Sequence, residues 1–292
     1  MKEMPMPKVS VLMPVYKTKE EYLRAAIESI LTQTFTDFEF LILDDCPEDD
    51  RGAVVRSYKD KRIKYFKNNK NLGISASRNK LINMAKGEYL AVFDHDDISL
   101  PERLTREAAY LDEHPETGVV ASQVKNIIKQ HASKNPADDA DIKLALMRNC
   151  VIPHPASMIR KSVLTENNIY YEERFSPAED YALWCQLIPY TKFHNLEEVL
   201  FWYRDHQENT SHKQNNKMKN ATYAIWAFVK TANPILYEEF LLKAKQTIRI
   251  RLFGFIPFLS IIKQASRIKI YLFEKILLLS CKVAIKLKGT NK

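Results

Sequence analysis

Gly87–Asp97 reads GEYLAVFDHDD, a short apolar run that stops abruptly at Asp94, Asp96 and Asp97. Tyr89–Phe93, aromatic and aliphatic throughout, predicts a buried strand. Three carboxylates directly after it concentrate negative charge at the strand's carboxyl end. Such a cluster is costly unless a cation or a hydrogen-bonding ligand shares the site. Crevices beyond the carboxyl ends of strands are also where open α/β sheets take their ligands. The same residues suit a solvated acidic turn capping a helix after Pro101, so the rest of the chain must decide.

On the amino-terminal side, strand-like and helical patterns alternate. Lys8–Tyr16 (KVSVLMPVY), Phe38–Leu43 and Ile63–Phe66 predict strands; Glu20–Thr32, Arg51–Tyr58 and Ser75–Ala85 predict helices. This alternation over the first hundred residues implies a mainly parallel sheet with crossover helices. Phe38–Leu43 also ends in an acid pair, Asp44 and Asp45, so two apolar strands deliver carboxylates to the same sheet edge. Beyond Pro101 the spacing predicts helices over Glu102–His114, Asp138–Met147 and Ala178–Ile188. Strands are expected over Gly118–Val124, Pro153–Met158 and Phe193–Tyr203. Asp138, Asp139 and Asp141 read as the acidic first turn of a helix.

The chain has 292 residues, 46% hydrophobic and 27% charged, the composition of a globular protein. With six glycines it contains no dinucleotide-binding or P-loop fingerprint. Cys46, Cys150, Cys185 and Cys281 are isolated and read as reduced thiols, not as disulfides or a zinc site. No apolar leader follows Met1, so no secretory signal is expected. From Phe240 to Lys292, twelve Lys or Arg face one acid, Glu274, leaving net −3 for the first 239 residues of a chain totalling +8. That asymmetry predicts two regions with different partners.

The ordered blocks VSVLMPVY, SILTQTFTDFEFLILDD, NLGISASRN, GEYLAVFDHDD with PERL, and SPAEDYALW resemble the family 2 inverting glycosyltransferases, nucleotide-sugar-dependent enzymes with the GT-A fold. The resemblance runs from about Lys8 to about Arg204. It implies an α/β, Rossmann-like mixed, mainly parallel sheet flanked by helices: a catalytic domain over 1–215, with its nucleotide-binding half over about 1–100 and its acceptor-binding half over about 101–215. A basic, amphipathic helical region is expected over 216–292.

The resemblance also implies roles. The family's acid-x-acid metal motif falls on Asp94, His95 and Asp96: Asp96 would ligate Mn²⁺ or Mg²⁺, and Asp94 would bind ribose or share the metal shell. His95 is either a soft-leaning ligand favouring Mn²⁺ or a spacer. A divalent ion would stabilise charge on the departing nucleoside diphosphate. Asp45 matches the acid that reads the base, with uracil favoured and guanine not excluded by the chemistry. Pro14 and Tyr16 occupy the base-contacting strand end, Tyr16 as a stacking ring or a core tyrosine. Cys46-Pro47 departs from the small polar pair of many relatives. Arg78, in NLGISASRN, suits a phosphate contact or an ion pair with the strand acids. Glu179-Asp180 matches the acidic pair before a helix: Asp180 would be the general base, and Glu179 would touch the acceptor or fix the base. His154 lines the acceptor side or is a buried structural histidine. Arg204 and His206, in FWYRDHQENTSH, could fold over the donor diphosphate, His206 on phosphate or metal.

In the tail, the uncharged run Leu252–Ile262 is too short to span a bilayer. Over Ile270–Lys288, helical spacing aligns Lys275, Lys282 and Lys286 against an apolar face. This suits either an anionic membrane surface or packing on the core. The expected protein is a cytoplasmic enzyme, peripheral at the inner face of the cell membrane, that transfers sugar from a nucleotide-sugar to a glycan or lipid-linked acceptor in cell-surface polysaccharide or lipopolysaccharide synthesis. A sugar-nucleotide nucleotidyltransferase would need a glycine-rich phosphate loop after the first strand, where MPVYKTKEEYL has none. A nucleic-acid-binding protein would mix basic and aromatic residues across the fold, whereas the first 239 residues are net negative.

Overall fold

The computed structural model describes residues 6–49, 51–207, 209 and 214–253. Alternating apolar residues on the central strands serve two cores, one on each face of a single eight-stranded sheet. In β1 (Val9–Val15), Val9, Val11, Met13 and Val15 point to one core and Leu12 to the other; β2 (Phe38–Asp44) divides Phe38, Phe40 and Ile42 from Leu41 and Leu43 in the same way. β4 (Tyr89–Val92) repeats the pattern, with Leu90 and Val92 opposite Tyr89 and Ala91. Side chains of period two with both faces covered are what a buried parallel sheet requires.

The strand order is β3-β2-β1-β4-β7-β6-β8-β5. β3 (Ile63–Lys67), β2, β1 and β4 run parallel. β7 (Ser157–Arg160) is antiparallel to both β4 and β6 (Thr117–Asn126). β8 (Lys192–Tyr203) lies parallel to β6, and β5 (Ile98–Ser99) closes the edge antiparallel to β8. Three helices cover one face: α1 (Glu20–Leu31), α2 (Gly52–Ser57) and α4 (Arg103–Glu113). The opposite face carries α3 (Ile74–Met84), α5 (Asp139–Leu146), α6 (Lys161–Glu166), α7 (Glu179–Leu187) and α8 (Asn215–Ala232).

Gly87 lets β4 start against β1: a Cβ there would sit 2.5 Å from the backbone nitrogen of Ser10. β1 and β2 end level, at Val15 opposite Asp44, and β4 stops at Val92 opposite Leu12, so the residues that follow these parallel strands lie at one carboxyl edge of the sheet.

One expectation is corrected. The strand expected over Pro153–Met158 is a 3-10 turn at His154–Ala156 followed by β7; Pro153 and Pro155 have no N–H for a ladder. The division expected after residue 215 falls at the start of α8, and the compact unit that holds the sheet runs to Phe240. Ala221, Ile225 and Val229 of α8 are buried in the core, and Trp226 Nε1 donates to the Arg148 carbonyl at 2.9 Å. The following helix, α9, spans Pro234–Phe253. The tail run Leu252–Ile262 lies almost wholly, and Ile270–Lys288 wholly, outside the described residues.

Candidate active site

The shared strand edge gathers the acids. Asp45 follows β2, is buried, and spends its carboxylate on the loop opposite: Oδ1 accepts from Asn68 Nδ2 and Leu72 N, both at 2.8 Å, and Oδ2 from Gly73 N at 2.9 Å. Asp45 thus seats the turn that starts α3. Gly73 has φ +82° and ψ 164°, a conformation for which glycine is suited. Pro14 is buried inside β1, whereas Tyr16, just past the strand, exposes its ring with Lys17 Nζ 5.2 Å from the centroid.

α3 delivers Arg78 to the centre of the site. Its Nη1 donates to Glu179 Oε1 at 2.7 Å and its Nη2 to Asp94 Oδ1 at 3.3 Å. The ring of Tyr171 lies 5.5 Å from the guanidinium. One cation therefore joins the acid after β4 to the acid pair that opens α7. Burial and Asp96 push the Asp94 carboxyl up while Arg78 opposes them. Asp180 stands beside Glu179, with Oδ1 held by the Tyr181 amide at 2.7 Å. Burial first, then the Glu179 charge, push its pKa to about 6 against the pull of Arg78. Glu179 Oε2 is buried without a protein partner.

The strap after β8 reaches the same acids. His206 Nε2 lies 2.8 Å from Asp96 Oδ2, and Arg204 Nε donates to the Asp96 carbonyl at 2.8 Å. The Arg204 amide donates to Asp97 Oδ1 at 2.7 Å. Asp97 is fully buried; burial and the neighbouring Asp96 and Asp94 charges hold its carboxyl well above the ordinary range. His95 is half-buried, and its Nδ1 has no protein partner. His154 is buried, 2.8 Å from the Tyr171 hydroxyl, and burial followed by Arg78 keeps its pKa well below the usual value, so it is neutral at pH 7.

The acid-x-acid residue Asp96 thus meets His206, one oxygen and one nitrogen donor at 2.8 Å. Among the described residues no three His, Cys, Asp or Glu gather to hold a metal by themselves. Two protein donors with the remaining positions left to phosphate and water suit Mn²⁺ or Mg²⁺ in a nucleotide site, so the donor set fits such an ion.

Several partners were not foreseen. Tyr22 of α1 supports the strap: the Arg204 guanidinium lies 4.3 Å from its ring centroid and the His206 ring 5.5 Å away. Asn79 clasps Tyr171 through both backbone atoms, at 2.8 and 2.9 Å. Tyr22 directly precedes Leu23 of the buried stripe Leu23-Ala26-Ile27-Ile30 and is half-buried, so an aromatic beside that stripe was the only signal in the sequence.

Comparison with known proteins accords with this geometry. The model of glycosyl transferase family 2 matches residues 10–166. The chain belongs to that family and is a glycosyltransferase. It is 36% identical to an uncharacterized glycosyltransferase of Methanocaldococcus jannaschii over 69% of this chain and 72% of that one. It is 30% identical to the O-antigen biosynthesis glycosyltransferase WbnJ of Escherichia coli, over 76% and 89% of the two chains. The fold is shared with S. aureus TarS 1–349, solved in complex with UDP-GlcNAc, at a TM-score of 0.65 and 21% identity over 87% and 77% of the chains. The expected GT-A architecture is thereby found.

Proposed function

We propose that this glycosyltransferase moves a sugar, with inversion and with the help of a divalent metal ion, from a UDP-sugar to a hydroxyl of a glycan or lipid-linked acceptor in cell-surface polysaccharide synthesis. The observation that carries this reading is the double ion pair of Arg78. It ties the donor-side acid Asp94 to Glu179, beside a carboxylate, Asp180, whose pKa of about 6 suits a base working near neutrality. The complex of TarS with UDP-GlcNAc favours a UDP-hexose or UDP-N-acetylhexosamine donor, and the place of WbnJ in O-antigen biosynthesis favours a glycan acceptor.

In this mechanism the acceptor hydroxyl gives its proton to the Asp180 carboxylate as its oxygen bonds to the anomeric carbon. The bond from that carbon to the diphosphate oxygen breaks on the opposite side, and UDP leaves. Glu179, held by Arg78, orients the acceptor. Tyr16 faces the base, and Asp45 builds the floor beneath it through the Asn68–Gly73 loop. Arg204, stacked on Tyr22, supplies positive charge beside the diphosphate and, with His206, shields the donor from water. A divalent ion held by Asp96 and His206 would act as a Lewis acid on the leaving diphosphate, with Asp94 binding ribose or sharing the metal shell. The basic C-terminal region would hold the enzyme at the inner, anionic face of the cell membrane.

The test is Asp180→Asn, assayed for UDP release from UDP-GlcNAc with a glycan acceptor and for UDP binding by calorimetry with Mn²⁺. Transfer is expected to be lost with binding retained. Retained transfer would remove Asp180 as the base.

A further inference from the structure

β4 and β7 pair in antiparallel register through Tyr89↔Arg160, Leu90↔Ile159 and Ala91↔Met158, and there the ladder stops. The next opposed residues would be Val92 and Ser157. Their carbonyls both accept from one side-chain nitrogen, Arg103 Nη2, at 2.7 and 3.2 Å. Arg103, the arginine of the PERL block, is fully buried at the start of α4 and lies against the rings of Phe201 and Phe93, at 5.3 and 6.0 Å. Its Nε donates to both carboxylate oxygens of Glu107 at 3.2 Å, and Glu107 is fully buried too.

This is an expensive way to fill a core. A buried ion pair seldom adds stability over apolar side chains of the same volume. The pair also leaves Arg103 Nη1 without a hydrogen-bond partner, and burial pushes the Glu107 carboxyl up to about 7 despite Arg103. What the guanidinium does accomplish lies in its position. Two residues beyond Val92 is Asp94. The Ser157 hydroxyl donates to the His154 carbonyl at 2.7 Å, fixing the turn on the acceptor side. Phe201 precedes Arg204 and His206 on the strand that carries the strap.

We infer that Arg103 is a positioning residue for glycosyl transfer: its guanidinium replaces the ladder hydrogen bonds where β4 and β7 part, and so sets the width of the crevice between the donor acids and the acceptor-side turn. Without it the two carbonyls have either to accept from amides of the opposite strand, by closing the strands, or to stay unsatisfied. Both responses move Asp94 relative to His154 and Glu179, and misplacement of about 1 Å costs roughly a hundredfold in rate. The inference rests on the proposed division of the site into donor and acceptor sides.

The experiment separates positioning from stability by comparing Arg103→Met with the double variant Arg103→Met/Glu107→Leu. Melting temperature, calorimetric UDP affinity with Mn²⁺, UDP release from UDP-GlcNAc and a crystal structure of the double variant are measured. The single variant is expected to melt lower, since it strands a buried carboxylate. The double variant is expected to regain the parent's melting temperature while UDP release stays down at least tenfold and UDP affinity changes much less. Its Val92 and Ser157 carbonyls should be displaced. A double variant with parental turnover, or with both carbonyls in their parental places, would overturn the inference. If the parent itself releases no UDP from UDP-GlcNAc, the donor assignment fails, and the crystal structure alone decides the role of Arg103.

Discussion

The Asp180 carboxylate sits where burial and the Glu179 charge favour the neutral acid and Arg78 favours the anion, giving a pKa of about 6 against 3.8 for an unperturbed aspartate. A base must be ionised, so the competent form dominates above pH 6 and is lost as pH falls through it. The expected kcat/KM profile therefore drops about tenfold per unit below roughly pH 6 and levels above it. A profile flat from pH 4.5 to 8 would exclude Asp180 as the group that takes the proton. The acids themselves were legible in the sequence because a charged cluster interrupting an apolar run is hard to explain as core. Arg78, Arg204 and His206 were legible as residues of the site, but not which acid each one meets. Arg204 and His206 meet Asp97 and Asp96 across 107 to 110 residues of chain. Arg103 and Glu107, four apart on a helix, have the spacing of an ordinary solvent-facing pair, yet both side chains are fully buried.

At the scale of single elements, α3 owes its placement to the loop that Asp45 grips, and that loop turns at Gly73 in a conformation nearly confined to glycine. A Cβ at Gly73 would meet nothing within 4 Å, so substitution there acts through the backbone alone. Gly73→Ala is expected to cost about 1–3 kcal/mol, read as a lower urea midpoint, with weaker nucleotide binding because Arg78 rides on the same helix. An unchanged midpoint would show that the loop relaxes freely. The strongly periodic elements, α1 and β1 to β4, follow their sequence patterns closely, because each buries one continuous stripe or both faces. β5 is two residues long, too short to produce a pattern, and the reversed direction of β7 leaves no trace in local spacing at all. Strand direction is decided by which neighbour is available, a property of the assembled sheet.

At the scale of the whole molecule, charge separates along the chain: the basic excess lies in its last fifth. Among the described residues no helix is long and apolar enough to cross a membrane. The basic C-terminal segment is proposed to work by surface attraction, in which anionic lipid contributes about 1 kcal/mol per Lys or Arg near the headgroups. Removing residues 254–292, which carry eight Lys or Arg against Glu274, should release the protein from phosphatidylglycerol vesicles in a sedimentation assay while the catalytic unit stays folded. Full-length binding should weaken as salt rises. Sedimentation unaffected by the deletion would rule out the tail as the anchor.

The long sequence separation between the acids and the strap has a consequence in time. The family match ends at residue 166, whereas Glu179, Arg204 and His206 still have to be made. At about 5–20 residues per second, the forty residues from Glu166 to His206 take roughly 2–8 s to synthesise. During that interval a growing chain can pair Asp94 with Arg78 but holds Asp96 and Asp97 without His206 and Arg204, which contact them in the finished fold. A chain that stops before the strap carries these acids without the groups that meet them across the site.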